Sequence, residues 1–94
     1  MNTDFSIKGK VAVITGAAGV LGGSLARHFA EQGAEVVALV HRPEQVEMFP
    51  VAYACNVMDV ESVSEVASKI MEKYSKVDIL INNAGVFFFN PYCE

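Results

Sequence analysis

A run of apolar, largely β-branched residues that ends in a glycine-rich turn constrains the fold of this chain most. Residues 11–23 read VAVITGAAGVLGG, and the run predicts a strand over Lys10–Thr15 that is buried on both faces of a parallel sheet. Leu21, Leu25 and Phe29 follow at helical spacing. Glycine lets a ligand approach the backbone, and the first N–H groups of a helix favour anions. The stretch therefore predicts strand, tight turn and helix around a phosphate-bearing cofactor.

The glycine spacing excludes two familiar phosphate-binding patterns. The dinucleotide fingerprint G-x-G-x-x-G needs glycine at positions 16, 18 and 21, where this chain has Gly16, Ala18 and Leu21. The pattern G-x-x-x-x-G-K-[ST] needs a Gly-Lys pair after the turn, and none follows it. The turn must therefore be assigned from its wider context.

Composition narrows the class of protein. A chain of 94 residues is one small domain at most, and its 52% hydrophobic content is enough for a packed core. The net charge of −4 with scattered basic residues argues against a nucleic-acid partner. The two cysteines are far apart, which argues against a disulfide or zinc site and favours reduced thiols in the cytoplasm. The sequence shows no signal peptide, and its apolar runs are too short to cross a membrane.

Strand and helix patterns alternate along the rest of the chain. After the first strand they predict a helix at Val20–Gln32 capped by Gly33, a strand at Glu35–His41, a short helix at Pro43–Met48, a strand at Val51–Cys55, a helix after the N-cap Asp59, and a strand at Val77–Ile81. The last helix presents one apolar face, made of Val63, Val66, Ala67, Ile70 and Tyr74. Such alternation predicts an α/β fold with a parallel sheet.

A second motif, DILINNAG at residues 78–85, follows the glycine-rich turn in the right order. Together with Thr15, Gly16 and Gly22 it resembles the short-chain dehydrogenase/reductase family, whose turn reads Thr-Gly-x-x-x-Gly-x-Gly and whose fourth strand ends in Asn-Asn-Ala-Gly. This chain departs from the pattern at the middle glycine, where it has Val20 beside Gly19. The segment CNVMD at residues 55–59 resembles the family's Asp-Val-x-Asp, with Asn56 in place of the first acid.

The resemblance implies a doubly wound, Rossmann-like sheet in the order 3-2-1-4, truncated after the fourth strand. Residues 1–94 are then the N-terminal part of a single NAD(P)-binding domain. The family transfers hydride between NAD(P)(H) and an alcohol or ketone. The residues that the resemblance and the strand ends place at the dinucleotide are Thr15, Gly16, Ala18, Gly19, Val20, Leu21, Gly22, His41, Arg42, Asn56, Val57, Asn82, Asn83, Ala84 and Gly85.

The family's catalytic pattern, Tyr-x-x-x-Lys, does not occur in the chain. Tyr53 is followed four residues later by Val57 and Tyr74 by Asp78, and Tyr92 is too near the last residue of the sequence. We therefore expect no catalytic residue and no metal site here, and no turnover by the chain alone. A non-catalytic fragment or an interaction module is the alternative to the front half of an oxidoreductase.

Two further expectations concern binding preferences. An acid at the end of the second strand normally binds the ribose hydroxyls of NAD, but Val40 stands in that place and His41 and Arg42 follow it. The chain therefore favours NADP over NAD. The fourth strand lies at the edge of a sheet truncated there, and with the phenylalanines at 87–89 it predicts self-association through exposed apolar surface.

Overall fold

The computed structural model describes residues 6–83. Its elements are β1 (Val11–Thr15), α1 (Val20–Glu31), β2 (Glu35–Val40), a 3₁₀ helix (Pro43–Met48), β3 (Ala52–Ala54), α2 (Val60–Tyr74) and β4 (Ile79–Ile81). The strands form one parallel sheet in the order β3-β2-β1-β4. The predicted fold class and strand order are confirmed.

The two central strands carry the core on both of their faces. All five residues of β1 and the last four of β2 are buried, as expected for strands covered on both sides. Val13 and Val37 pack with α2 on one face, whereas Ile14 and Ala38 pack with α1 on the other. The sheet therefore has one helix on each side, and the β1–α1 turn lies at the carboxyl edge of the strands.

Helix α1 approaches the sheet through small residues, and only part of the predicted apolar stripe packs inward: Leu25 is partly buried against the core. The buried positions of the helix are Gly22 and Ala26, whereas Leu21 is 64% exposed. The reason is the close approach of the helix to the turn, because a Cβ at position 22 would overlap the carbonyl oxygen of Gly16. The helix ends at Glu31, and Gly33 adopts the left-handed conformation one residue beyond the cap Gln32.

Helix α2 begins as predicted and buries less than predicted. The carboxylate of Asp59 accepts a hydrogen bond from the backbone N–H of Glu61 at 3.0 Å. Val66 and Ile70 are buried, but Val63 is 40% exposed and Ala67 is exposed as well. Val63 and Ala67 line an open groove of about 430 Å³ between α2 and β4, so only the inner part of the predicted face contacts the sheet.

Strand β4 is two residues shorter at its start than the sequence pattern predicts. The N–H of Asp78 donates to the carbonyl oxygen of Val11 at 2.9 Å, and the Asp78 carboxylate accepts from the N–H of Val11 at 2.8 Å. The carboxylate of Asp78 therefore takes the place of a backbone carbonyl as the acceptor for the N–H of Val11, where β4 joins β1. The Lys76 ammonium lies 3.1 Å from the same carboxylate. These contacts hold the pKa of Asp78 below its ordinary value, the Val11 hydrogen bond contributing most and Lys76 next.

The other element ends differ from the prediction by a residue or so. Lys10 precedes β1, His41 follows β2, and Val51 and Cys55 flank β3 while still bonding to β2 through their backbones. The predicted short helix at Pro43–Met48 is a 3₁₀ helix. Ala84, Gly85 and the phenylalanines at 87–89 lie outside the described residues. Within residues 6–83, no helix is long and apolar enough to span a bilayer.

Candidate functional site

The turn between β1 and α1 forms the first part of the candidate site. Gly16 has φ +63°, a left-handed conformation that side chains rarely adopt. The N–H of Gly19 donates to the carbonyl oxygen of Gly16 at 3.1 Å, and Gly19 is the N-cap of α1 without a side-chain cap. The first N–H groups of an α-helix have no partner within the helix. The turn therefore presents backbone donors at the positive end of the α1 dipole.

The glycines of the turn have different structural roles. A Cβ on Gly22 would overlap the carbonyl oxygen of Gly16 and lie 2.8 Å from its carbonyl carbon, whereas a Cβ on Gly19 would make an ordinary contact of 3.4 Å. Val20, which stands at the family's middle glycine, is 95% exposed. Gly22 is therefore required by packing, whereas no other residue within 6–83 crowds the Cβ position of Gly19 or the side chain of Val20.

The hydroxyl of Thr15 joins the two sequence motifs. It accepts a hydrogen bond from the backbone N–H of Asn83 at 2.8 Å, and it lies 3.0 Å from Oδ1 of Asn82 and 3.4 Å from the carbonyl oxygen of Ile81. Thr15 is only 6% exposed. The contact fixes the end of β4 against the end of β1, immediately before the turn. Nδ2 of Asn83 is buried with no hydrogen-bond partner among the described residues.

The end of β2 forms the wall on the other side of the turn. A cleft of about 270 Å³ is lined by Gly16, Leu39, Val40, His41, Cys55 and Val57. Val40 is buried, so the position expected for a ribose-binding acid is part of the core. His41 and Arg42 are exposed after it. The cleft thus runs from the turn to a strand end that carries a cation and, at this position, no carboxylate.

Glu44 is a neighbour of Arg42 that is absent from the site residues predicted from the sequence. Its Oε2 lies 3.9 Å from Nη1 of Arg42, and both side chains are largely exposed. The spacing of two residues carries no signal for such a contact, because the 3₁₀ helix that begins at Pro43 brings the two side chains together. The cationic strand end therefore has an anion beside it.

The polar groups of Asn56 make a turn before α2. Its Oδ1 accepts a hydrogen bond from the N–H of Met58 at 3.0 Å, and its own N–H donates to the hydroxyl of Ser62 at 2.9 Å. An amide oxygen has two lone pairs, so one remains for a ligand. Val57 lines the cleft next to it. The segment therefore lies at the cleft with its backbone already fixed.

Tyr74 is unsuited to proton transfer at this site. Burial raises the pKa of Tyr74, and the nearby Glu35 carboxylate and Tyr53 raise it further. Glu35 begins β2, at the amino edge of the sheet and away from the glycine-rich turn. A proton donor of the kind that the family resemblance implies needs a lowered pKa. The predicted lack of a catalytic tyrosine remains a prediction for the chain as a whole.

Comparison with known proteins gives the site its context. The family model described as short chain dehydrogenase matches residues 10–93. The 3-oxoacyl-acyl-carrier-protein reductase of Thermotoga maritima is 37% identical over 90 residues, which cover 85% of this chain and 37% of that protein. The chain thus spans little more than a third of the length of this curated relative.

Two solved structures with bound cofactors are similar as well. An NAD⁺-bound xylitol dehydrogenase has a TM-score of 0.79 at 30% identity, over 85% of this chain and 35% of that one. A metagenomic short-chain oxidoreductase in complex with NADP has a TM-score of 0.76 at 30% identity, over 86% and 41% respectively. The similarity covers the sheet, the glycine-rich turn and the end of β4, and the chain belongs to the short chain dehydrogenase family.

Proposed function

We propose that the chain binds a nicotinamide dinucleotide along the carboxyl edge of its sheet, with the pyrophosphate at the β1–α1 turn. One observation carries the proposal: the Thr15 hydroxyl ties the Asn82–Asn83 segment to the strand that leads into Gly16. Both family motifs thereby meet at one end of the sheet. Helix N-termini in such turns bind phosphate through backbone N–H groups.

The residues fit such a ligand. Gly16 opens the turn, the exposed positions at the start of α1 leave its backbone donors accessible, and the cleft beside β2 receives the adenosine part. The remaining lone pair of Asn56 is the acceptor for an adenine amino group. The roles of Ala18, Leu21, Ala84 and Gly85 follow from the family pattern.

The activity we propose for the whole protein is hydride transfer between NAD(P)(H) and an alcohol or ketone. The dinucleotide supplies the hydride chemistry when bound, and this chain supplies its binding. We place residues 1–94 in the N-terminal part of a single nucleotide-binding domain, with the catalytic groups on further sequence. The alternative remains a non-catalytic fragment or an assembly module.

Titration calorimetry with NADP⁺ and NAD⁺ tests dinucleotide binding directly. We expect saturable binding of one dinucleotide per chain. Gly33→Ala is a suitable control, because Gly33 also has a positive φ but lies at the far end of α1. Gly16→Ala should weaken binding, whereas Gly33→Ala should not. If the folded, unmutated protein binds neither NADP⁺ nor NAD⁺, the proposal is refuted.

For the choice of cofactor we propose NADP over NAD. The support is the buried Val40 in the place of an acid, followed by the exposed cation of Arg42. The affinity ratio of the two dinucleotides tests it, with Arg42→Ala beside the parent. If the protein binds NAD⁺ more tightly than NADP⁺ and Arg42→Ala leaves that ratio unchanged, the end of β2 does not determine which cofactor is preferred.

We also propose that the isolated chain self-associates through β4. Within residues 6–83 this strand is at the sheet edge, Leu80 is 66% exposed, and Met71 and Val77 beside it are about half exposed. Exposed apolar edges pair with other chains. Light scattering at high concentration should show dimers or larger species, and a clean monomer counts against this contact. We place the protein in the cytoplasm because its two cysteines are far apart in the sequence, a pattern that favours reduced thiols.

A further inference from the structure

The backbone of Arg42 is held firmly at the end of β2. Its N–H donates to Oε1 of Gln45 at 2.9 Å, and its carbonyl oxygen accepts from the N–H of Gln45 at 3.0 Å. Pro43 restricts the backbone on the following side. The guanidinium therefore extends from a fixed point, one residue after His41 at the wall of the cleft.

The ion pair that Arg42 makes is a loose one. Its Nη1 lies 3.9 Å from Oε2 of Glu44, and the two side chains are 67% and 71% exposed. Charge-assisted hydrogen bonds of this kind are typically about 2.7–2.9 Å long. Glu44 thus offsets part of the charge of Arg42 while leaving its donors accessible to a stronger ligand.

We propose that Glu44 competes internally for Arg42 and limits the affinity of this strand end for the 2′-phosphate of NADP. The proposal rests on the proposed dinucleotide binding. At 3.9 Å the Glu44 carboxylate lies beyond hydrogen-bond distance of Nη1, so it competes with a phosphate for the positive charge of Arg42 and not for its hydrogen-bond donors. A phosphate at Arg42 also lies within a Debye length of the Glu44 carboxylate and is repelled by it. Glu44 therefore lowers the discrimination between NADP and NAD that Arg42 provides.

A double-mutant cycle on the protein tests this competition. The variants are Glu44→Gln, Arg42→Ala and the two combined, and the measured quantities are the Kd values of NADP⁺ and NAD⁺ at low and physiological salt. Glu44→Gln should tighten NADP⁺ binding by about two- to fivefold, the range expected for an exposed ion pair, and leave the NAD⁺ Kd unchanged. The gain should be smaller in the Arg42→Ala background, where only the direct repulsion of the phosphate by Glu44 is left, and it should shrink at higher salt.

A matched control is Glu47→Gln, which removes a carboxylate from the other end of the same 3₁₀ helix. It should change the NADP⁺ Kd less than Glu44→Gln does. The proposal is overturned if Glu44→Gln leaves NADP⁺ binding unchanged or tightens it equally without Arg42. A loss of NAD⁺ affinity in Glu44→Gln also overturns it, because Glu44 would then be a ribose ligand. If the unmutated protein binds neither dinucleotide, the proposed function itself fails, and the inference fails with it.

Discussion

The contact between α1 and the glycine-rich turn yields a sharp test at Gly22. In Gly22→Ala the new Cβ would overlap the carbonyl oxygen of Gly16, and it would lie 2.8 Å from the carbonyl carbon of Gly16 and 2.9 Å from Cα of Ala17. All three neighbours are backbone atoms, so no side-chain rotation relieves the clash. The turn or the start of the helix must move.

The neighbouring glycine provides the matched control. In Gly23→Ala the nearest atom to the new Cβ is the Ala17 carbonyl oxygen at 3.3 Å, which requires only a small adjustment. Both substitutions gain about 1 kcal/mol of helix propensity, so this contribution cancels between them. Overpacking costs about 1–3 kcal/mol, and we place Gly22→Ala at the upper end because backbone must shift.

Urea unfolding followed by circular dichroism measures the difference. Gly22→Ala should be about 2–3 kcal/mol less stable than Gly23→Ala at an unchanged m-value, measured at one protein concentration. Dinucleotide affinity should fall with it, because the displaced atoms belong to the turn. Equal stability of the two variants would refute the close packing of α1 on Gly16 and Ala17.

Three further results are expected. Gly16→Val should abolish dinucleotide binding and keep an α/β circular dichroism spectrum. The control Gly33→Val, also at a positive φ, should be strained similarly but still bind the dinucleotide. Calorimetry measures the affinity, and an unchanged affinity in Gly16→Val would refute the assignment of the turn. The pKa of Asp78 is lowered from 3.8 in the folded protein, so the stability that its carboxylate contributes is complete above that pH and is lost as the pH falls through the lower folded value. When unfolding is measured against pH, Asp78→Asn should lose less stability in acid than the unmutated protein does. Identical stability profiles would contradict this role of Asp78. The 94-residue chain should show no carbonyl reduction with either cofactor, because its sequence contains no Tyr-x-x-x-Lys pattern and acid–base help is typically worth about 10²–10⁴-fold; turnover that survives rigorous purification would refute this.

Much of the fold could be predicted because its signals are local. The apolar runs of β1 and β2 are continuous, as strands covered on both faces require, and Asp59 caps α2 through its own side chain. Burial on the helices was less predictable. Leu21 fits an apolar stripe but is exposed, whereas Leu25 in the same stripe packs against the core, because Gly22 and Ala26 form the face of α1 nearest the sheet.

The sequence by itself determined the alternation of strands and helices, the parallel sheet and the two motifs, since each depends on residues adjacent in the chain. Only the tertiary structure decided which groups meet. It placed the hydroxyl of Thr15 against Asn82 and Asn83, closed the start of β4 with the carboxylate of Asp78, and brought Glu44 beside Arg42. The first two contacts join residues more than sixty positions apart, and the third depends on a 3₁₀ turn. Hydrogen bonds and ion pairs form at distances of a few ångströms, and the folded backbone, not separation along the chain, sets those distances.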